Sequence, residues 1–277
     1  MKIAIAIVTI GLAASSIQAA PIYVGENLKT QNNIGLNFQD TLTKKDVAAG
    51  RTDTGNIAAI ELRAAYNVNE NIPAKLWLPF YMSSKDITGT SRNAMGNVGL
   101  GLGWTNSMPT ESREMTWGYS LALNTFLPTS REIEGNTVAA ANPSIDLYRY
   151  LTKTTSVAPV AGLFFIADQF SGKANMGYGY SRNGASGVTT DKNGHSFTGQ
   201  LATSWHAMPS LHLNAEYNTV YANAAMFGTK KYRHSIAPSV SGNYEAFTGS
   251  IYGNIPLDST TRDLSTVAFG LNVGYTF

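Results

Sequence analysis

Residues 264–277 read L-S-T-V-A-F-G-L-N-V-G-Y-T-F. Val267, Phe269, Leu271, Val273, Tyr275 and Phe277 take one parity, and Thr266, Ala268, Gly270, Asn272, Gly274 and Thr276 take the other. Successive side chains of a strand point to opposite faces, so this stretch is a strand with one greasy face and one small or polar face. A soluble sandwich would turn the greasy face into a packed core. A transmembrane barrel inverts the arrangement, with apolar residues against lipid and small polar ones against a lumen. The rest of the chain has to decide between them.

The front of the chain fixes the compartment. Lys2 is followed by an apolar run over residues 3–14 and by the small-residue exit Ser15-Ser16-Ile17-Gln18-Ala19-Ala20. This is the pattern of a secretory signal peptide, with residues 1–19 removed and 20–277 left as the mature chain. About 12 apolar residues fall short of the roughly 20 needed to span a bilayer as a helix, and no later run is longer. An exported chain with no cysteine must find its stability without disulfides, and a closed hydrogen-bonded sheet would supply it. Charged residues make up only 14%, against about 25% in an ordinary soluble domain. Mean hydropathy is −0.10, as expected of a wall whose two faces cancel. A net charge of +2 gives no footprint for nucleic acid.

Strand patterns recur along the whole length. They are centred on Ile34-Leu36-Phe38, Ile60 to Val68, Leu76 to Met82, Val98 to Trp104 and Met115 to Leu123. The second half continues with residues 141–151, 156–167, Phe197 to Trp205, Leu211 to Tyr221, 232–241, 244–254 and the terminal strand. The tenth and eleventh are expected to meet at a tight Gly242-Asn243 turn, and residues 168–193 to form the longest loop. The connections alternate short and long. That layout predicts an all-β transmembrane antiparallel up-and-down barrel of about 12 strands, with short periplasmic turns and long extracellular loops.

Aromatic placement agrees. Trp104, Trp117 and Trp205 lie beside short turns on the outward parity of their strands, with Tyr66 and Phe277 at the same level. Trp and Tyr satisfy both an apolar ring and a polar edge at a membrane interface, so these five are the candidate aromatic girdle.

The runs Leu78-Pro79-Phe80-Tyr81, Gly96-Asn97-Val98-Gly99-Leu100-Gly101 and Phe126-Leu127-Pro128-Thr129-Ser130, in that order, resemble the outer-membrane transporter-like proteins of the MetA-pathway of phenol degradation family. The resemblance covers residues 74–152. Asn97 and Ser130 depart from it, standing where that family has Asp and Gly. It implies an outer-membrane channel for small compounds, apolar or aromatic ones among them.

No residue set points to catalysis. Around His195 the run from Gly194 to Gly199 has its second glycine one residue late for a nucleophile elbow. His234 and Ser235 are adjacent on a strand and so face opposite ways. His206 and His212 can approach across a turn, but no carboxylate stands beside them. No spacing suits zinc, and the loops holding Asp191 and Asp258 lack the oxygen density calcium needs. Gly99, Gly101 and Gly103 do not match a nucleotide fingerprint; in a barrel they clear room in the lumen or ease curvature. No enzyme activity, metal or cofactor is expected.

Glu61, Arg63, Lys75, Asp146 and Glu216 fall on the polar parity and are the candidate lumen-lining residues. They either pair and brace the interior or line a water path and set its selectivity. Lys44, Lys45, Lys85, Arg92, Lys230, Lys231 and Arg233 fall toward the long loops, where lipopolysaccharide phosphates or solvent would surround them. The expected function is passive passage of small molecules across the outer membrane of a Gram-negative bacterium. The expected lumen is narrow, partly occluded by inward side chains and by the loop over 168–193. Expected partners are outer-membrane lipids and lipopolysaccharide, the solute, and the barrel assembly machinery acting on the terminal strand, with no nucleic acid. Two other classes fit the same strands: a structural or adhesive surface barrel, and a membrane lipid hydrolase.

Overall fold

The computed structural model describes residues 22–23, 26–27, 32–43, 55–83, 92–110, 115–129, 155–182, 193–222, 232–259, 262 and 265–277. A two-residue ribbon, β1 (Ile22–Tyr23) with β2 (Glu26–Asn27), precedes the barrel. The barrel strands are β3 (Asn33–Thr43), β4 (Gly55–Asn69), β5 (Ile72–Ser83), β6 (Arg92–Met95), β7 (Val98–Pro109), β8 (Met115–Leu127), β9 (Ser156–Ala167), β10 (Phe170–Arg182), β11 (Asn193–Met208), β12 (Leu211–Ala222), β13 (Tyr232–Tyr244), β14 (Phe247–Pro256) and β15 (Ser265–Thr276). Short β6 and long β7 pair in succession along β5, so they form one interrupted stave. Every stave is antiparallel to its neighbours, and β15 pairs with β3 to close a ring of twelve. Closure leaves no strand edge unpaired, which a sheet surrounded by hydrocarbon requires.

Burial runs inside out. Leu36, Leu102, Leu123, Leu163, Met176, Leu201 and Phe269 are exposed on the outer wall, while Asn37, Gln39, Glu61, Asn124, Ser204, Asn214, Glu216, Ser239 and Asn272 are buried on the inner one. Water would drive the opposite sorting. This is the sorting of a barrel that faces lipid, and it resolves the ambiguity of the terminal strand, whose apolar parity points outward.

The turns sort by end. Residues 70–71, 110–114, 168–169, 209–210 and 245–246 make the connections at one end, and 44–54, 84–91, 128–155, 183–192, 223–231 and 257–264 those at the other. Thr276 pairs with Asn33, so the barrel begins and finishes at the short-turn end.

Two expectations are corrected. Most of the loop expected over 168–193 is a stave: β10 leaves the tight Asp168-Gln169 turn and pairs along its length with β11. Its Gly, Ser and Asn content imitates a loop, yet a stave needs only its backbone ladder and neighbours able to cover its small positions. The hairpin turn expected at Gly242-Asn243 lies at Glu245-Ala246 instead, with Glu245 at φ 51°. Gly242 is held in ladders on both sides, opposite Leu211 and Gly249. Two fixed registers override a favourable turn dipeptide. The strand expected over 141–151 lies outside the described residues, while β8 pairs directly with β9.

Large inward rings are seated against glycine. Trp77 and Phe126, ring centres 6.2 Å apart, fill the space over β7: a β-carbon on Gly99 would stand 2.8 Å from Trp77, and one on Gly101 would stand 2.8 Å from it as well. The Phe164 ring occupies the space over Gly118, and the Tyr252 ring that over Gly270. The backbone of β1 runs beside β12, β13 and β14. The outward Leu213, Ile236 and Ile251 of those strands stay exposed, so the ribbon approaches from the lumen side.

Candidate functional site

The inner wall is the part of the molecule where chemistry-bearing side chains converge. Glu61 on β4 is 1% exposed and forms an ion pair with Arg63, two residues along the same face. Tyr252 on β14 comes within electrostatic reach of both, and of Glu216. Its hydroxyl is shared between Asn37 Oδ1 at 3.0 Å and Gln39 Oε1 at 3.3 Å. A relay of amides runs through β10, β11 and β12: Asn175 Nδ2 donates to Gln200 Oε1 at 2.8 Å, and Gln200 Nε2 donates to Glu216 Oε2 at 2.8 Å. Lower on the wall Asn214 donates to Ser239 and Ser241, and Asn272 donates to Ser250. Of the residues expected inside, Glu61, Arg63, Lys75 and Glu216 are therefore on the inner face, and Asp146 lies outside the described residues. Glu61 and Arg63 are directly paired with each other.

The lumen is two-sided. From β5 to β9 the inward positions hold Pro73, Trp77, Pro79, Gly99, Gly101, Phe126, Ala158, Gly162 and Phe164, interspersed with Lys75, Ser120, Asn124 and Ser156. From β10 round to β3 they hold mainly Ser, Thr, Asn, Gln and His. Sequence reasoning missed the aromatic side, because it tracked the outward parity of each strand. Trp77 sits on the parity opposite Leu76 and Leu78, and that was the available signal.

The five candidate girdle residues Tyr66, Trp104, Trp117, Trp205 and Phe277 are all exposed on the outer wall, in its short-turn half. Trp117 packs on Phe165 and Trp104 edge-on to Tyr119, with centroids 5.4 and 5.2 Å apart. A second row, not foreseen, crosses four staves toward the long loops. Tyr178, Phe197, Tyr221 and Tyr232 are direct ladder partners, with successive centroids at 5.2, 6.3 and 4.9 Å. Between the rows lies a cleft of about 550 Å³ on the outer wall, lined by Trp117, Leu163, Phe165, Leu201, Tyr217 and Ile236 among others.

The histidines resolve into structural partnerships. His195 and His234 take the hydroxyls of Tyr178 and Tyr217 at 2.7 and 2.8 Å through Nδ1, on the outer face. Ser235, beside His234 in sequence, points into the lumen, so these two do not meet. His206 and His212 do meet, edge to face at 4.8 Å. His206 Nδ1 lies 2.8 Å from the Asp168 carbonyl, which makes Nδ1 the protonated nitrogen, and its Nε2 is then free to accept from Ser171 Oγ at 3.0 Å. This has the form of a nucleophile, a base and an orienting group, but Ser171 is 0% exposed and no substrate carbonyl can reach it. The pair latches the Asp168-Gln169 turn to β11. Arg233, expected among the loop cations, is instead an inward residue of β13 at 4% exposure. Lys44, Lys45, Lys85, Lys230 and Lys231 lie outside the described residues; Arg92 begins β6.

No protein-family model matches the chain, and no curated protein matches it. Solved structures do. The COG4313 outer membrane channel from Pseudomonas putida F1 superposes with a TM-score of 0.62 at 15% identity, over 91% of this chain and 97% of that one. The NanC porin superposes with a TM-score of 0.54 at 9% identity, over 87% of this chain and 100% of that one. At these identities the likeness is one of fold.

Proposed function

We propose that the chain is an outer-membrane channel of a Gram-negative bacterium, allowing passive passage of small molecules. The observation that carries this is an inner face rich in amides and hydroxyls from β10 round to β3, inside a wall whose outer face is apolar. The similarity in fold to an outer membrane channel and to a porin supports the reading. Residues 1–19 direct export and are removed. The short turns face the periplasm, and the two aromatic rows sit at the two interfaces. The loop cations meet lipopolysaccharide, and the terminal strand engages the assembly machinery.

Twelve strands lie between the side-chain-filled eight and the open sixteen, so the bore is narrow. The resemblance to the phenol-degradation transporter family, and with it an apolar or aromatic solute, is supported by the Trp77, Phe126 and Phe164 side of the lumen alone. Liposome swelling with solutes graded in size and polarity tests the channel. Wild-type vesicles should swell in small solutes and stay inert in larger ones. Vesicles that swell no faster than protein-free ones would remove transport and leave a structural or adhesive barrel. In planar bilayers Glu61→Gln and Glu216→Gln should shift ion preference; an unchanged reversal potential would reduce both carboxylates to bracing.

A further inference from the structure

We propose that Lys75 and Lys173 form a cationic belt on the inner wall of the short-turn half, and that this belt makes the bore selective for small anions. The inference rests on the channel reading above and gives the sign of the charge that the channel admits. Lys75 is the fourth residue of β5 and Lys173 the fourth residue of β10. Both strands start at the short-turn end, so the two lysines stand at one depth. Lys75 is on the parity of Trp77 and Lys173 on that of Ser171, both of them buried inward residues. The ring order puts β10 four staves from β5, so the lysines face the bore from two sides. Both are partly exposed. Arg63 stands one step deeper, opposite Trp77 in the ladder, with its side chain 16% exposed.

The inward carboxylates are placed differently. Glu61 and Glu216 are each 1% exposed. Glu61 is sealed behind its partner Arg63, and Glu216 accepts from Gln200 Nε2 within the wall. Water in the bore therefore meets the cations and not the anions. Among the described residues, Arg63, Lys75 and Lys173 face Glu61 and Glu216 on the inner wall; the further inward cation, Arg233, is buried within electrostatic reach of Asp258. Of the other described carboxylates, Glu70, Asp168 and Glu245 are on the short turns, Asp40 and Asp258 lie toward the long loops, and Glu26 belongs to the ribbon and not to a stave. The turn acids stand in bulk water at the end of the bore, where salt screens charges over about 8 Å. The buried rings of Trp77 and of Phe164, the ladder partner of Lys173, give the belt a wall of low dielectric. A passage lined by one sign of charge with such walls focuses the field and concentrates the opposite ion, and charged side chains at a constriction set which ion passes.

The test is the reversal potential in planar bilayers across a gradient of potassium chloride, whose two ions have nearly equal mobility in water. Wild type should pass chloride in preference to potassium. Lys75→Gln combined with Lys173→Gln should reduce that preference about threefold or more, since each removes a unit charge from the wall. Lys75→Arg combined with Lys173→Arg should keep it. A wild type that prefers potassium, or a preference unchanged in the glutamine double variant, overturns the belt and leaves the channel standing. The sign of the wild-type preference decides this even if the glutamine double variant fails to fold. A wild type that carries no current overturns the channel instead, and the belt is then tested without passage. The chain has no cysteine, so Ala65→Cys, at the ladder partner of Lys75, places a single thiol beside the belt. Anionic sulfonatoethyl methanethiosulfonate should modify it faster than the cationic trimethylammonioethyl reagent, each rate divided by that on a free thiol in solution. Adding Lys75→Gln and Lys173→Gln should remove the advantage. Equal normalised rates, a faster cationic reagent, or a thiol that neither reagent reaches overturns the belt.

Discussion

Tyr252 and Gly270 divide one space between them on the inner wall. The Tyr252 ring lies where a β-carbon at position 270 would stand, and from there its hydroxyl reaches Asn37 two staves away. Gly270→Ala should therefore expel the ring and break that bond, costing about 1–3 kcal/mol as overpacking does. Gly253→Ala on the adjacent strand meets nothing within 4 Å and should stay within about 0.5 kcal/mol of wild type. Urea unfolding from lipid vesicles measures both, and equal stabilities would contradict the packing described.

Arg63 neutralises a carboxylate that is 1% exposed. Removing one partner of a buried pair leaves the other uncompensated, so Arg63→Ala should destabilise by about 3–5 kcal/mol. The double variant with Glu61→Gln should recover a large part of that loss. A double variant no better than Arg63→Ala alone would mean that Glu61 has another cation to hold it.

How much of this was legible in the chain depends on which face of each strand spoke. Leu76-Leu78-Phe80 and Val267 to Phe277 announce their staves because hydrocarbon demands large apolar residues at alternate positions. β10 is nearly silent, since its outward parity includes Gly172 and Ala174, and at Gly172 the space is taken by Phe165 leaning across from β9. That contact is between strands and leaves no local trace. The inner face is legible in polarity but not in pairing. Nothing in the sequence says that Asn214 meets two serines while Asn218 meets none among the described residues.

The outer wall makes a sharp contrast with a soluble fold. Leu201 is 60% exposed, and in a protein dissolved in water an arginine there would be close to neutral. Facing the middle of a bilayer it should cost about 2–4 kcal/mol. Leu201→Arg should thus lower the folded fraction in vesicles, read from heat-modifiable migration on a gel. Folding equal to wild type would place that position outside the hydrocarbon.

Ser171 and His206 have catalytic form without access. A fluorophosphonate probe should leave the folded protein unlabelled. Labelling that disappears in Ser171→Ala would revive the hydrolase that the buried hydroxyl argues against.

The most direct test of the inside-out barrel uses the four tryptophans, three facing out and one facing in. Variants retaining a single tryptophan, with the others replaced by Phe, are folded into vesicles whose acyl chains carry bromine, a contact quencher. Trp104, Trp117 and Trp205 should be strongly quenched, and Trp77 should fluoresce as it does in unbrominated lipid. Strong quenching of Trp77 with little effect on the other three would contradict the account.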